Sequence, residues 1–189
     1  MADYQTALTG LLQREGGLSN HPHDNGRETY AGISRRFHPD WPGWRLIDAC
    51  RAHPTFPDNL ADLACLRREV TSWYRGHYWD HIGGEHIASQ RVANRLLDMA
   101  AHLGLRRAAR ILQQTLNLLL PPDTPPLRVD CLIGPRTQAA ITSLNHSGRA
   151  DILAIALSVR QGAHYLTRAE QDLTQRAFLH GWLRRLNPV

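Results

Sequence analysis

Apolar residues recur at intervals of three and four along this chain, between glycine and proline breaks, which leaves little room for paired strands. Residues 3–15 set the pattern: Tyr4, Ala7, Leu8, Leu11 and Leu12 share one helical face. Asp3 is the predicted N-cap and Gly16-Gly17 the predicted stop. Residues 16–59 read as loop, with short helical pieces expected near Ser34 and Ile47. Helical spacing returns from Leu60 to Tyr78 and breaks at Gly83-Gly84. Ser89 is placed to cap a helix running to Leu103, Gly104 to end it, and Leu105 to Leu118 reads as the next helix. Four prolines make 118–127, LLLPPDTPPL, a stiff loop. Pro135 opens a helix from its favoured first position. Residues 150–166 form another, and Thr167 with Glu170 has capping-box spacing for the last. Only 79–87 offers a short irregular hairpin. The expected fold class is all-α, with its largest irregular region directly after Glu15.

The chain has 189 residues, room for one sizeable domain or two small interlocked ones. With 42% hydrophobic and 21% charged residues it has a globular composition. No apolar run approaches a membrane span, so stable membrane insertion is not expected. The N-terminus lacks a basic start and a continuous apolar core, so no signal peptide is expected and synthesis is placed in the cytoplasm. Cys50, Cys65 and Cys131 are odd in number and far apart, as suits reduced thiols. His21, His23 and Asp24 alternate as zinc ligands can, but no His-Glu-Xaa-Xaa-His helix or cysteine pair accompanies them. Neither a metal nor a cofactor is expected. The net charge is +5, and all 22 basic residues are arginine. The sign favours polyanions: nucleic acid, anionic membrane or acidic cell-wall polymer. The missing lysine fits arginine-rich codon usage. Arg106, Arg107 and Arg110 make one basic helix face, either solvated or attractive to such a polymer.

Glu15 is the unusual residue. Eleven steps beyond Tyr4 turn a helix by about 1,100°, about 20° past three full turns, so Glu15 projects from the face of Tyr4, Leu8 and Leu11. Burial and the negative helix end both favour the protonated acid. The alternative is a helix that stops one residue early and lets Glu15 swing into water. Asp24 follows in a polar Pro-His-Asp-Asn-Gly loop, where a carboxylate stays ionised or simply makes an Asx turn. Glu28 comes four residues later. Glycoside hydrolysis needs a proton-donating carboxyl and commonly a second carboxylate, roles that fit Glu15 and Asp24. Thr29 and Tyr30 are candidates to hold a water or a sugar hydroxyl. Trp41 and Trp44, in a Pro-Gly loop, are candidates to line a sugar groove, whereas Trp73 is better suited to core packing.

A family resemblance rests on several patches. Glu15-Gly16-Gly17-Leu18-Ser19-Asn20, then Asp24-Asn25-Gly26-Arg27-Glu28-Thr29, then Gly32-Ile33-Ser34, resemble the N-terminal signature of the glycoside hydrolase family 108 muramidases. That signature reads Glu-Gly-Gly-Tyr, Asp-Pro-Gly-Gly-Xaa-Thr and Gly-Ile-Thr. Trp73-Tyr74-Arg75-Gly76-His77-Tyr78-Trp79 is similar to the family's Tyr-Trp segment. From Ala93 the sequence resembles its second module, a predicted peptidoglycan-binding region: "VDCLIGPRT" is similar to Val-Asp-Gly-Xaa-Ile-Gly-Pro-Xaa-Thr, and "FLHGWLRRL" to a closing Gly-Trp-Xaa-Xaa-Arg. Leu18, Arg27 and Cys131 depart from the pattern, the last two replacing glycines.

The resemblance implies a lysozyme-like helical fold and cleavage of the N-acetylmuramic acid to N-acetylglucosamine bond, with Glu15 as the catalytic acid. The spacing of Glu15, Asp24 and Thr29 is similar to that of phage-type lysozymes. Residues 1–92 are then the catalytic region and 93–189 a peptidoglycan-binding-like region expected to fold as one unit with it. A monomer is expected, with peptidoglycan glycan strands as partner, no nucleic-acid partner, and an immunity protein if the chain is an effector. Action in the periplasm or outside the cell would follow delivery through a holin or a secretion system, in lysis by a phage endolysin or a secreted antibacterial effector. A lytic transglycosylase using Glu15 alone, a wall-binding protein without catalysis and a basic nucleic-acid-binding protein are the alternatives.

Overall fold

The computed structural model describes residues 1–20 and 27–187. Its first helix, α1, runs Tyr4–Glu15. Asp3 caps it: the Thr6 backbone N–H and hydroxyl both donate to the Asp3 carboxylate, at 2.7 and 2.6 Å. Those bonds hold the Asp3 carboxyl below its ordinary range. Tyr4, Ala7, Leu8 and Leu11 are buried, as the periodicity predicts. Gly16, at φ +73°, turns the chain off the helix.

The described residues form two compact units, one of residues 11–77 and one of 1–10 with 78–189. In the first, a three-stranded antiparallel sheet follows α1: β1 Leu18–Asn20, β2 Glu28–Tyr30 and β3 Ile33–Ser34, in that order. Ser19 pairs with Thr29, and Thr29 with Ser34. Ala31 and Gly32, at φ +47° and +79°, form the two-residue turn between β2 and β3. Two successive left-handed residues match the twist of a tight hairpin. The helical piece expected near Ser34 is therefore strand, whereas the one near Ile47 is α2, Gly43–Ala49. A 3-10 turn at Asp58–Asp62 leads to α3, Ala64–Tyr74. Ile33, Trp41, Trp44, Ile47, Leu60 and Leu66 fill the core of this unit. Glu28 on β2 pairs with Arg35, at 3.0 Å, and with Arg51. Both arginines also reach Asp48, at 2.7 and 2.9 Å, which braces the sheet against α2.

The hairpin expected at 79–87 is helical instead. A π-helical turn, Arg75–Trp79, extends α3 and is followed by α4, Asp80–Ile82, and a 3-10 turn at Gly84–His86. Trp79, Ile82 and Ile87 are fully buried, and no alternation turns every second side chain outward.

In the second unit, the Ala2 N–H donates to Ile87 O at 2.8 Å. The Asp3 N–H donates to Gln90 Oε1 at 2.7 Å, and Gln90 Nε2 returns a bond to Asp3 O at 3.0 Å. Gln90–Leu103 is α5, capped by Ser89 and ended by Gly104 at φ +84°; Leu105–Leu119 is α6. The proline loop that follows is held by Asn117, whose amide donates to Leu127 O at 2.9 Å and accepts from Leu127 N at 2.7 Å. Pro135–His146 is α7, with Pro135 in its first turn. Ala150–Gln171, α8, outruns its expected end. The capping box expected at Thr167 and Glu170 is absent because both lie inside α8, where no residue interrupts the helix. Asp172 instead caps a 3-10 turn, Leu173–Gln175, accepting from the Thr174 N–H at 3.0 Å, and α9, Arg176–Arg184, follows with no side-chain cap of its own.

A buried polar network ties α5, α8 and the chain after α9 together. Arg185 pairs with Asp98 at 3.0 Å, and Gln161 donates to Asp98 at 2.9 Å and to Tyr165 Oη at 2.6 Å. Arg95 donates to Gln161 and to the carbonyls of Arg185 and Leu186, at 3.1, 2.8 and 3.0 Å. His102 shares a 2.8 Å bond with Tyr165, whose hydroxyl is pushed up to about 12 by burial. Such a network is stabilising only when each member is satisfied. No helix among the described residues is long and apolar enough to cross a membrane.

Candidate active site

Glu15 is the last residue of α1 and is half-buried. Its carboxyl lies against the β2–β3 turn. A Cβ built on Gly32 would stand 2.8 Å from Glu15 Oε2 and 2.6 Å from Tyr74 Oη. Both distances are shorter than real Cβ contacts, so a side chain here would displace Tyr74 or Glu15, and at φ +79° its backbone would be strained as well; glycine suits the turn on both counts. Tyr74, at the end of α3 and 2% exposed, donates its hydroxyl to Ala31 O at 2.8 Å. The end of α1, the sheet turn and the end of α3 thus meet around one carboxyl. A half-buried carboxyl keeps part of its surface open to a bound molecule, and a carboxyl so placed can pass a proton to an oxygen within hydrogen-bond reach.

Thr29 occupies the middle of β2 and is half-buried, its hydroxyl donating to Arg27 O at 3.4 Å. Alternation along the strand puts it on the face opposite Glu28 and Tyr30. Asp24, with His21 and His23, lies outside the described residues. Glu28 is held by Arg35 and Arg51, so its carboxylate braces the sheet.

The three aromatic residues expected to bind sugar pack differently. Tyr30, Trp41 and Trp44 are 8%, 6% and 3% exposed. Trp41 lies near-parallel to Tyr30 at 6.5 Å and edge-on to Trp44 at 5.2 Å. Trp44 Nε1 donates to His38 O at 2.8 Å, and the Tyr30 hydroxyl to Leu60 O at 3.4 Å. The expectation of open platforms gives way to core packing, because the Pro-Gly segment begins α2 and turns both indoles inward. Trp73 is in the core as expected, its ring stacked on His77 at 4.4 Å and edge-on to His38 at 5.1 Å. Burial, and secondarily the charge of His77, lowers the pKa of His38.

Gly32 and Tyr74 belong to this arrangement although neither is a site candidate from the sequence. Both lie in patches that resemble the family signature, Gly32-Ile33-Ser34 and the Trp73–Trp79 segment, and Tyr74 also shares the apolar face of α3 with Val70. The two replaced glycines are also explained. Arg27 has φ +51° and Cys131 φ +65°, so both positions keep the left-handed backbone that glycine favours. At Cys131 the turn is held by Gln113, whose Oε1 accepts from the Cys131 N–H at 3.0 Å and whose Nε2 donates to Asp130 and to Leu132 O at 2.7 and 2.9 Å.

Comparison with known proteins matches residues 8–104 to the model of glycosyl hydrolase 108 and residues 107–187 to that of a predicted peptidoglycan domain. Among solved structures the chain is similar to SagA of Brucella abortus, at 23% identity over 97% of this chain and 93% of that one, with a TM-score of 0.57. That likeness is one of fold. No curated protein matches the sequence.

Proposed function

This chain belongs to the glycosyl hydrolase 108 family, and from that premise we propose that it is a muramidase in which Glu15 is the general acid. The coarser statement needs no proposal: the chain is a glycoside hydrolase acting on peptidoglycan. The muramidase reading places the cut between N-acetylmuramic acid and N-acetylglucosamine. The Glu15 carboxyl protonates the glycosidic oxygen, while Asp24, or a water held by Thr29, acts on the opposite face of the sugar. The observation that supports the reading is the half-buried Glu15 carboxyl at the end of α1, close against Gly32 of the β2–β3 turn. Lysis, by a phage endolysin or by a secreted antibacterial effector with its immunity protein, is the use this activity serves, at peptidoglycan in the periplasm or outside the cell.

The test is Glu15→Gln on purified peptidoglycan. The amide keeps the shape and removes the proton, so turnover should fall by about 10²–10⁴-fold with the fold intact. Near-normal turnover by the folded variant sinks the assignment. Mass analysis of the products of the unaltered protein, after borohydride reduction, fixes the reaction. Reducing muramic acid ends are expected. Anhydro ends would make the chain a lytic transglycosylase and leave Glu15 as its acid.

A further inference from the structure

At the head of α6, Arg106, Arg107 and Arg110 line a cavity of about 180 Å³ together with Cys131. All three arginines are exposed, the first turn of the helix holds no acidic residue, and among the described residues none of the three has an acidic partner. The acid nearest in sequence on the facing loop is already engaged: Asp130 accepts from Gln113 and from the Leu132 N–H, at 2.7 and 3.0 Å. Arg128 is the cation that acts on it. The positive field reaches His164, whose pKa is lowered by burial first and then by Arg107 and Arg168.

Cations at the start of a helix oppose its dipole, and Arg106 and Arg110, four apart, repel each other. The protein therefore concentrates positive charge in a concavity without compensating it. Several oxyanions held close together would supply the compensation, and guanidinium forks donate paired hydrogen bonds to carboxylates. Arg106 and Arg110 are about 6 Å apart along the helix axis. That spacing suits one compact group carrying more than one carboxylate better than an extended polyphosphate track, which calls for a longer stripe of cations.

We propose that this cavity is an anion subsite that takes the carboxylates of the peptidoglycan stem peptide. The proposal rests on the reading of the chain as a peptidoglycan hydrolase and adds to it that the wall is held by its peptide as well as by its glycan.

The full-length protein is titrated, by nuclear magnetic resonance or calorimetry, with four probes: a muramoyl tripeptide with free carboxylates, the same compound amidated, inorganic phosphate and a short DNA duplex. None contains the scissile bond, so binding is read apart from turnover. Replacing the three arginines together by glutamine should weaken muramoyl tripeptide binding at least about tenfold. The amidated compound should bind the unaltered protein about as weakly. Cleavage of peptide-free glycan should be unchanged in the variant. Equal affinity of the variant, or of the amidated compound, overturns the proposal; so does a loss confined to phosphate or DNA. If the glutamine variant fails to fold, the amidation arm on the unaltered protein decides. The triple lysine variant, which keeps the charge and loses the paired hydrogen bonds, should then bind the tripeptide more weakly than the unaltered protein and still prefer it to the amidated compound. Tripeptide binding without cleavage of peptide-free glycan would sink the muramidase reading and leave the subsite standing.

Discussion

Tyr74 donates its hydroxyl to the carbonyl oxygen of Ala31 at 2.8 Å, fixing a left-handed residue next to the glycine against which Glu15 rests. The turn beside the acid is therefore held by a residue more than forty positions away in sequence.

Gly32→Ala tests this directly. The new methyl would stand 2.6 Å from Tyr74 Oη and 2.8 Å from Glu15 Oε2, at φ +79°. Gly16→Ala is the matched control, with φ +73° and nothing within 4 Å of the new methyl. Both variants take on about 1–2 kcal/mol of backbone strain. Only Gly32→Ala should also lose turnover, by about tenfold or more, since small misplacements of a catalytic group are costly. Equal losses of turnover in the two folded variants would refute the role of the contact.

Glu28 and Asp24 should separate cleanly. Glu28→Gln removes the charge that Arg35 and Arg51 share, so the melting temperature should fall, with a loss of about 1–3 kcal/mol and little change in the turnover of folded protein. Asp24→Asn should do the reverse, lowering turnover more than stability or wall binding. Calorimetry and turnover of the two variants decide the matter, and a turnover collapse in Glu28→Gln alone would move the second carboxylate to Glu28.

His102 makes stability sensitive to acid. Burial, and secondarily the charge of Arg185, lowers its pKa from 6.5 to about 4. Between those values the unfolded chain binds the proton and the folded one does not, so stability rises with pH through this window. The contribution is complete above about pH 6.5 and lost as pH falls toward 4, with about 3 kcal/mol as its upper size. His102→Gln should flatten the denaturant-midpoint profile between these pH values. A variant profile parallel to that of the unaltered protein would exclude His102 as the cause.

Expressed separately, residues 1–92 and 93–189 should not fold. The cut divides the compact unit of residues 1–10 and 78–189, separating α5 from its own first turn and from the Asp3–Gln90 bonds. Thermal unfolding followed by circular dichroism is the measurement, and two cooperative transitions from the isolated fragments would establish independent domains.

Most of the helices were legible from the sequence, because they depend on a local period of 3.6 residues and on nearby caps; the helical turns at 79–87, read as a hairpin, were not. Asp3, Ser89, Gly104 and Pro135 act on residues within one turn of themselves, and each does in the structure what its chemistry predicts. The Thr167 capping box misled, since the spacing is necessary for a cap and does not by itself interrupt a helix. The strands at 18–34 left no readable pattern, because runs of two or three residues are too short to alternate visibly. Tertiary structure alone buried Trp41 and Trp44, committed Glu28 to two arginines and brought Tyr74 to Ala31. It also joined Asp98 to Arg185 across 87 positions. The order of residues determines what each turn of helix presents; which distant turns meet is decided by how the apolar faces pack, and the acid's surroundings are made of those meetings.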